Sequence, residues 1–162
     1  MKFQLISKVL SHLNEELNTL LLAATNAHLA ATDEQSIAET QYDTLAIEAG
    51  YLAEGQSRRV EELKGAIASF EQLSEVIEKS PNEHNKVQLG SIVQLLQDQT
   101  ADQYFFIAPA AAGFRCDIEN KHFTVITPQS PMGKALLNRY LDDEVTIKLG
   151  NSQQHDEIAY LK

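Results

Sequence analysis

The sequence predicts an α+β fold: an N-terminal antiparallel coiled-coil hairpin over 1–80, with its tip near 32–37, then a small antiparallel β-domain with one short helix over 81–162. Three observations carry this prediction. Two long stretches repeat apolar residues every three or four positions, the period of a helix that buries one stripe. Ser80-Pro81-Asn82 stops the repeat. Beyond it come short β-branched and aromatic runs divided by turn residues.

The first helix is expected from about Phe3 to Ala31. Its seam is Ile6, Val9, Leu13, Leu17, Leu20, Ala24, Ala27 and Ala31, with no Gly or Pro inside. The second is expected from about Ser36 to Glu78, on Tyr42, Leu45, Ala49, Leu52, Gln56, Val60, Leu63, Ile67, Phe70 and Ile77. Both seams are slim beside the connecting segment and bulky at the far ends. Antiparallel pairing therefore sets large against large and small against small. Gly50, Gly55 and Gly65 each weaken the second helix by up to ~1 kcal/mol relative to alanine, so it must lean on a partner helix.

In the second half, strands are expected at Val87–Leu96, Tyr104–Pro109, Phe123–Thr127, Glu144–Leu149 and Glu157–Leu161. Gly150-Asn151-Ser152 is expected to turn the last pair into a hairpin. Between Ser130 and Tyr140 a short helix is expected, with Ser130 as N-cap and Pro131 at its first position.

The formal charge of −10 argues against a protein that grips DNA or RNA over a broad face, because phosphate binding needs clustered Lys and Arg. The acidity is concentrated in 1–80, which holds 6 basic and 13 acidic residues. No apolar run approaches the roughly 20 residues of a membrane span, and the N-terminus lacks a signal-peptide core. A lone Cys116 forbids an internal disulfide. The expected location is the cytoplasm.

The five histidines are scattered, and Cys116 has no CxxC partner, so no zinc site is expected. Phosphate-binding glycine loops and the GxSxG elbow are absent. The chain is not expected to be a self-contained enzyme.

"SPMGKALLNRYLDDEV", Ser130 to Val145, resembles the signature of the bacterial Gre transcript-cleavage factors, the GreA/GreB family. Ser130, Pro131, Ala135, Leu136, Asp143 and Val145 match without gaps. Asn138 and Asp142 stand where that motif usually carries glycine. "RVEEL", Arg59 to Leu63, is similar to the Arg-Ile-x-x-Leu run of the family's second coiled-coil helix.

The resemblance implies an N-terminal coiled coil and an FKBP-like C-terminal domain. It implies a factor, expected as a monomer, that binds RNA polymerase at the secondary channel. The C-terminal domain docks at the channel rim, and Ser130, Pro131, Ala135, Leu136 and Asp143 are its docking candidates. The hairpin enters the channel, where tip carboxylates help hold a Mg²⁺ that belongs to the polymerase site. Two carboxylates can fix a second metal and orient the attacking water. Basic residues near the RNA are expected on the hairpin, with Arg58, Arg59 and Lys64 as candidates. Pairing with Glu54, Glu61 and Glu62 at helical spacing explains the same residues.

The tip departs from the pattern. The usual Gre tip reads Gly-Asp-x-x-Glu-Asn-x-x-Tyr. Anchored on Tyr42, its Asp and Glu positions hold Gln35 and Ala38, and its Asn position holds Glu39. Asp33, Glu34 and Glu39 are the candidate substitutes. Thr32-Asp33-Glu34-Gln35 and Ser36-Ile37-Ala38-Glu39 also read as capping boxes, which explains the same acids without a metal. Three functions follow as alternatives: a cleavage-promoting factor, a channel-occupying regulator without cleavage, and a coiled-coil adaptor or homodimer. A peptidyl-prolyl isomerase is disfavoured, since those pockets usually have a tryptophan floor and the chain has none.

Overall fold

Two long helices open the chain in the computed structural model, which describes residues 1–32, 44–79, 85–150 and 152–162. Helix α1 spans Lys2–Thr32 and α2 spans Thr44–Lys79. Where side chains are described, burial follows the seams. Ile6, Val9 and Leu13 are buried, and Leu17, Leu20 and Ala24 are half-buried. On α2, Val60, Leu63, Phe70 and Leu73 are buried, and Ile67 and Ile77 half-buried. The glycines do not break α2. An Arg59–Glu16 ion pair of 2.6 Å joins the helices. Eleven residues link Thr32 to Thr44. They extend at most about 40 Å, too little to run back along a 31-residue helix of about 46 Å and start a parallel partner. The pair is therefore antiparallel.

The second half forms one six-stranded sheet: β1 (Ile92–Leu95), β2 (Gln103–Ile107), β3 (Arg115–Ile118), β4 (Lys121–Ile126), β5 (Glu144–Leu149) and β6 (Ser152–Leu161). A 3-10 helix, Leu96–Ala101, follows β1, and helix α3, Pro131–Leu136, precedes β5. The strand order is β3-β4-β2-β1-β6-β5.

Four differences from the sequence reading have physical causes. The sheet is not wholly antiparallel: β2 and β4 pair in parallel, Gln103 opposite His122 through Ile107 opposite Ile126. The expected strand Val87–Leu96 shortens to Ile92–Leu95, because Gly90 turns the chain at φ +84° and Leu96 enters the 3-10 helix. Strand β3 was not expected. It is a short, partly exposed edge strand, joined to β4 by a turn in which Glu119 and Asn120 both have positive φ. The last strand starts at Ser152, not Glu157, because the whole of β5 is paired from Glu144↔Glu157 to Leu149↔Ser152.

Strand alternation gives the sheet two buried faces. One carries Val93, Leu95, Ile107 and Ile126, packed with Leu136, Ala135 and Met132 of α3. The other carries Ile92, Phe106, Phe123 and Val125. Tyr104 stacks on Phe123 at 5.3 Å between ring centroids and meets Tyr160 edge-on. Compact grouping puts Met1–Leu10 and the Ala68–Lys79 end of α2 with this sheet, in one unit of Met1–Leu10 and Ala68–Lys162. Ser11–Ile67 forms a second unit. Lys8 lies close enough to Cys116 for its charge to act on the thiol, which burial nonetheless holds above its ordinary pKa.

Candidate functional site

The Ser130–Val145 segment is built from its ends inward. Ser130 has extended backbone, and its Oγ accepts from the Gly133 N–H at 3.0 Å while donating to the Thr127 carbonyl at 2.7 Å. This is an N-cap, with Pro131 at the position where a missing N–H costs nothing. Gly133 is buried against the same turn, and a β-carbon there would fall 2.0 Å from the Thr127 carbonyl oxygen. The helix is shorter than the expected Ser130–Tyr140. It ends at Leu136, and Asn138 turns into the left-handed region at φ +68°. Asp142 does the same at φ +66°. These are the two positions where the resembling motif carries glycine. Asn and Asp are the side chains that best tolerate such backbone. The loop geometry is thus kept without glycine. Asp143 closes the segment, its Oδ2 accepting from the Tyr140 N–H at 2.8 Å.

The docking candidates divide by burial. Leu136 is fully buried and Ala135 packs on the core, so they hold the segment in place. Ser130 and Asp143 are half-buried, and Pro131 is exposed. Tyr140, for which core packing was the expected role, is 52% exposed, and Leu141, which the sequence reading did not single out, is 47% exposed. Beside the segment, Leu73, Val76, Leu89, Pro109, Pro128 and Leu137 line an apolar groove of about 610 Å³. Its signal in the sequence was weak, because residues from five separate stretches form it.

The basic candidates lie on α2, all exposed. Arg59 pairs with Glu16 and with Glu62 at 3.3 Å, and Lys64 with Glu61 at 2.9 Å. Hydrogen bonds to Glu16 and then Glu62 raise the Arg59 pKa further. Two of the three basic residues thus have the acidic partners that helical spacing supplies. The tip candidates Asp33, Glu34 and Glu39, with Gln35, Ala38 and Tyr42, lie outside the described residues, as does the Ser80-Pro81-Asn82 stop. Among the described residues no group of three or more His, Cys, Asp or Glu is placed to hold a metal, and no helix is long and apolar enough to cross a membrane. The aromatic side chains Phe106 and Phe123 are core residues.

A search of curated proteins finds no match. Among solved structures the chain is similar to Thermus aquaticus Gfh1, with 18% identity over 93% of this chain and 92% of that one and a TM-score of 0.35. It is also similar to the GreA factor homolog 1 (Gfh1) of Thermus thermophilus, with 16% identity, 94% of each chain covered and a TM-score of 0.36. The family model for the C-terminal part of the transcription elongation factors GreA/GreB matches residues 82–160, the stretch that contains the sheet, α3 and the capped Ser130–Val145 segment. Residues 82–160 thus form the C-terminal domain of the GreA/GreB transcription elongation factor family.

Proposed function

We propose that this protein binds bacterial RNA polymerase at the secondary channel and modulates elongation or the cleavage of backtracked transcripts. The family match over 82–160 carries this reading. The segment from Ser130 to Asp143 supports it locally: rigidly capped, it leaves Pro131, Tyr140 and Leu141 exposed for docking. The protein supplies no active site of its own and at most stimulates cleavage by the polymerase. In the cleavage-promoting form, Asp33, Glu34 or Glu39 shares the polymerase Mg²⁺. RNA contact is then indirect, past Arg58, Arg59 and Lys64. The factor acts as a monomer in the cytoplasm and does not bind DNA.

A second reading is a regulator that occupies the channel without stimulating cleavage. Gln35 and Ala38 at the usual acidic tip positions favour it. Stalled, backtracked elongation complexes of the matching polymerase, assayed at limiting Mg²⁺, separate the two. Faster RNA cleavage that is lost in the Asp33→Ala, Glu39→Ala double variant establishes a metal-holding tip. No acceleration, together with displacement of a cleavage-active Gre factor, establishes the regulator. The absence of both cleavage and competition refutes the polymerase reading. A dimer joined through the hairpin, detected by solution mass, would support the adaptor instead.

A further inference from the structure

Strand β5 stands at one end of the sheet. Among the described residues its backbone hydrogen bonds run to β6 and to no other element. The ladder between the two strands starts where the Ile158 N–H donates to the Asp143 carbonyl at 3.1 Å. Antiparallel partners alternate between bonded and unbonded pairs. Val145, Ile147 and Leu149 therefore follow as the bonded partners of Asp156, Gln154 and Ser152. Thr146 and His155 are an unbonded pair, where side chains come closest, and Thr146 Oγ1 lies 3.0 Å from His155 Nδ1. The N–H and C=O groups of Glu144, Thr146 and Lys148 thus point away from β6, along the open edge. Across the sheet, Val145 and Ile147 are buried, while Glu144, Thr146 and Lys148 are exposed.

An open edge is a template for another strand, and natural sheets blunt it with proline, a bulge or charge. Glu144–Leu149 holds no proline, and its register with β6 runs without a shift. Only charge protects it, one Glu and one Lys placed symmetrically about Thr146. When a second copy of β5 runs antiparallel with Thr146 opposite Thr146, Glu144 meets Lys148 on either side of the centre. The outward groups of all three residues then face each other as bonded pairs. Val145 meets Ile147 on the buried side. A slip of two residues in either direction keeps the bonding and loses both Glu–Lys pairs. Glu144 also faces Glu157 within its own chain, a like-charge pair that weakens a sheet. Lys148 of the second copy supplies the missing cation on its other side. The opposite edge, β3, offers only four residues, and its Asp117 is already tied to His122 at 2.7 Å.

We propose that β5 pairs with β5 of a second copy of this chain about a twofold axis at Thr146, joining two six-stranded sheets into one. The occupant is a second copy because the edge complements itself: each contact that one copy makes, the other returns. A single strand pair buries less than a permanent interface needs, so the dimer is weak and depends on concentration. It is the resting form of the free protein. Asp143 of the docking segment directly precedes the paired strand, so the monomer is the form that docks, and this clause alone rests on the polymerase reading.

The test is sedimentation equilibrium of the full chain over a concentration series, with amide NMR to verify the fold of each variant. The expected result is a reversible monomer–dimer equilibrium. Thr146→Pro removes an outward N–H that β6 does not use, so it should abolish the dimer and keep the sheet. Lys148→Glu sets like charges against each other twice and should raise the dimer dissociation constant about tenfold or more. Glu144→Lys should do the same. Mixed in equal amounts, these two charge variants should pair again, because each carries the charge that the other lacks. A monomeric mass at every concentration overturns the proposal. A dimer that persists in Thr146→Pro also overturns it, by assigning the contact to the hairpin or to β3. A mixture of the charge variants that pairs no more tightly than either alone overturns the register and the proposal with it. No polymerase is present, so failure here leaves the outcome of the cleavage assay untouched.

Discussion

Gly133 has no room for a side chain, because the Thr127 carbonyl would stand 2.0 Å from its β-carbon, a backbone atom that cannot swing away. Gly133→Ala should therefore destabilise the domain by about 3 kcal/mol or more in urea unfolding, at the upper end of overpacking effects. Asn138 meets the opposite constraint, a left-handed backbone that a β-carbon strains. Asn138→Ala should cost about 1–2 kcal/mol, while Asn138→Gly should stay within about 0.5 kcal/mol of the parent. Equal losses for both variants would show that the Asn138 side chain, and not its backbone angle, matters. Asp98 gives a pH-dependent case. Its carboxyl is raised above the ordinary 3.8 by burial and by Asp156. The folded state then holds the proton more tightly than the unfolded chain. Stability falls as pH rises from the unfolded value through the folded one, and the penalty is complete above it. Asp98→Asn should thus stabilise the protein at neutral pH, with the gain shrinking to nothing as pH drops below the unfolded value. A gain independent of pH would refute this account. These residues also mark what a sequence shows at this scale. The Ser130 cap was legible because Ser-Pro before good helix formers has a local cause. The buried Asp156 Oδ2, which has no hydrogen-bond partner among the described residues, was not, because its burial comes from the distant strand pairing of β1, β5 and β6.

At the scale of elements, α1 was read almost to both ends and α2 to its C-terminal end, because apolar residues repeat along each with a single period; the expected start of α2 at Ser36 lies outside the described residues. The limits came where local chemistry did not decide. Strand β3 has only four residues, Arg115 to Ile118, two of them charged, and only Ile118 is buried. No alternation could be seen in it. The parallel β2–β4 pairing is likewise invisible locally, since it depends on where the chain returns after β3. On α2 the fit between sequence and structure is incomplete in a useful way. Gly55 is exposed, and a β-carbon there would meet nothing within 4 Å. It has no steric reason to be glycine, so it only weakens the helix. Gly55→Ala should raise stability by about 0.5–1 kcal/mol, measured as a higher helix melting temperature by circular dichroism. A loss would mean that α2 must bend there to work. The Arg59 pairs with Glu16 and Glu62 are exposed and add little in water, so the helices depend on their apolar seam.

Over the whole molecule, the change of period near Pro81 does not coincide with the division into compact units, since the sheet is grouped with Met1–Leu10 and with α2 from Ala68 onward. The contact at Gly90 shows how α2 takes part. A β-carbon there would come within 3.0 Å of Ile77 Cδ1 and 3.3 Å of Leu73 Cδ1, so both side chains press against the turn that leads into β1. Leu73 is itself 7% exposed. If this unit unfolds as one, truncating Leu73 must weaken the sheet, although Leu73 lies in a helix outside it. Leu73→Ala should cost about 2–5 kcal/mol, the usual range for an emptied leucine site. That loss should appear in the near-ultraviolet signal of the Tyr104, Phe123 and Tyr160 cluster, which reports the sheet. Leu63→Ala provides the contrast. Leu63 is buried as deeply, at 2% exposure, but within the Ser11–Ile67 unit. It should lower the helical signal first and leave the tyrosine signal close to that of the parent. If both variants shift both signals equally, the chain unfolds in a single step and the two units are not separate in energy. If Leu73→Ala leaves the tyrosine cluster untouched, the sheet stands without α2. The Ser130–Asp143 segment could then be studied on a fragment lacking the helices.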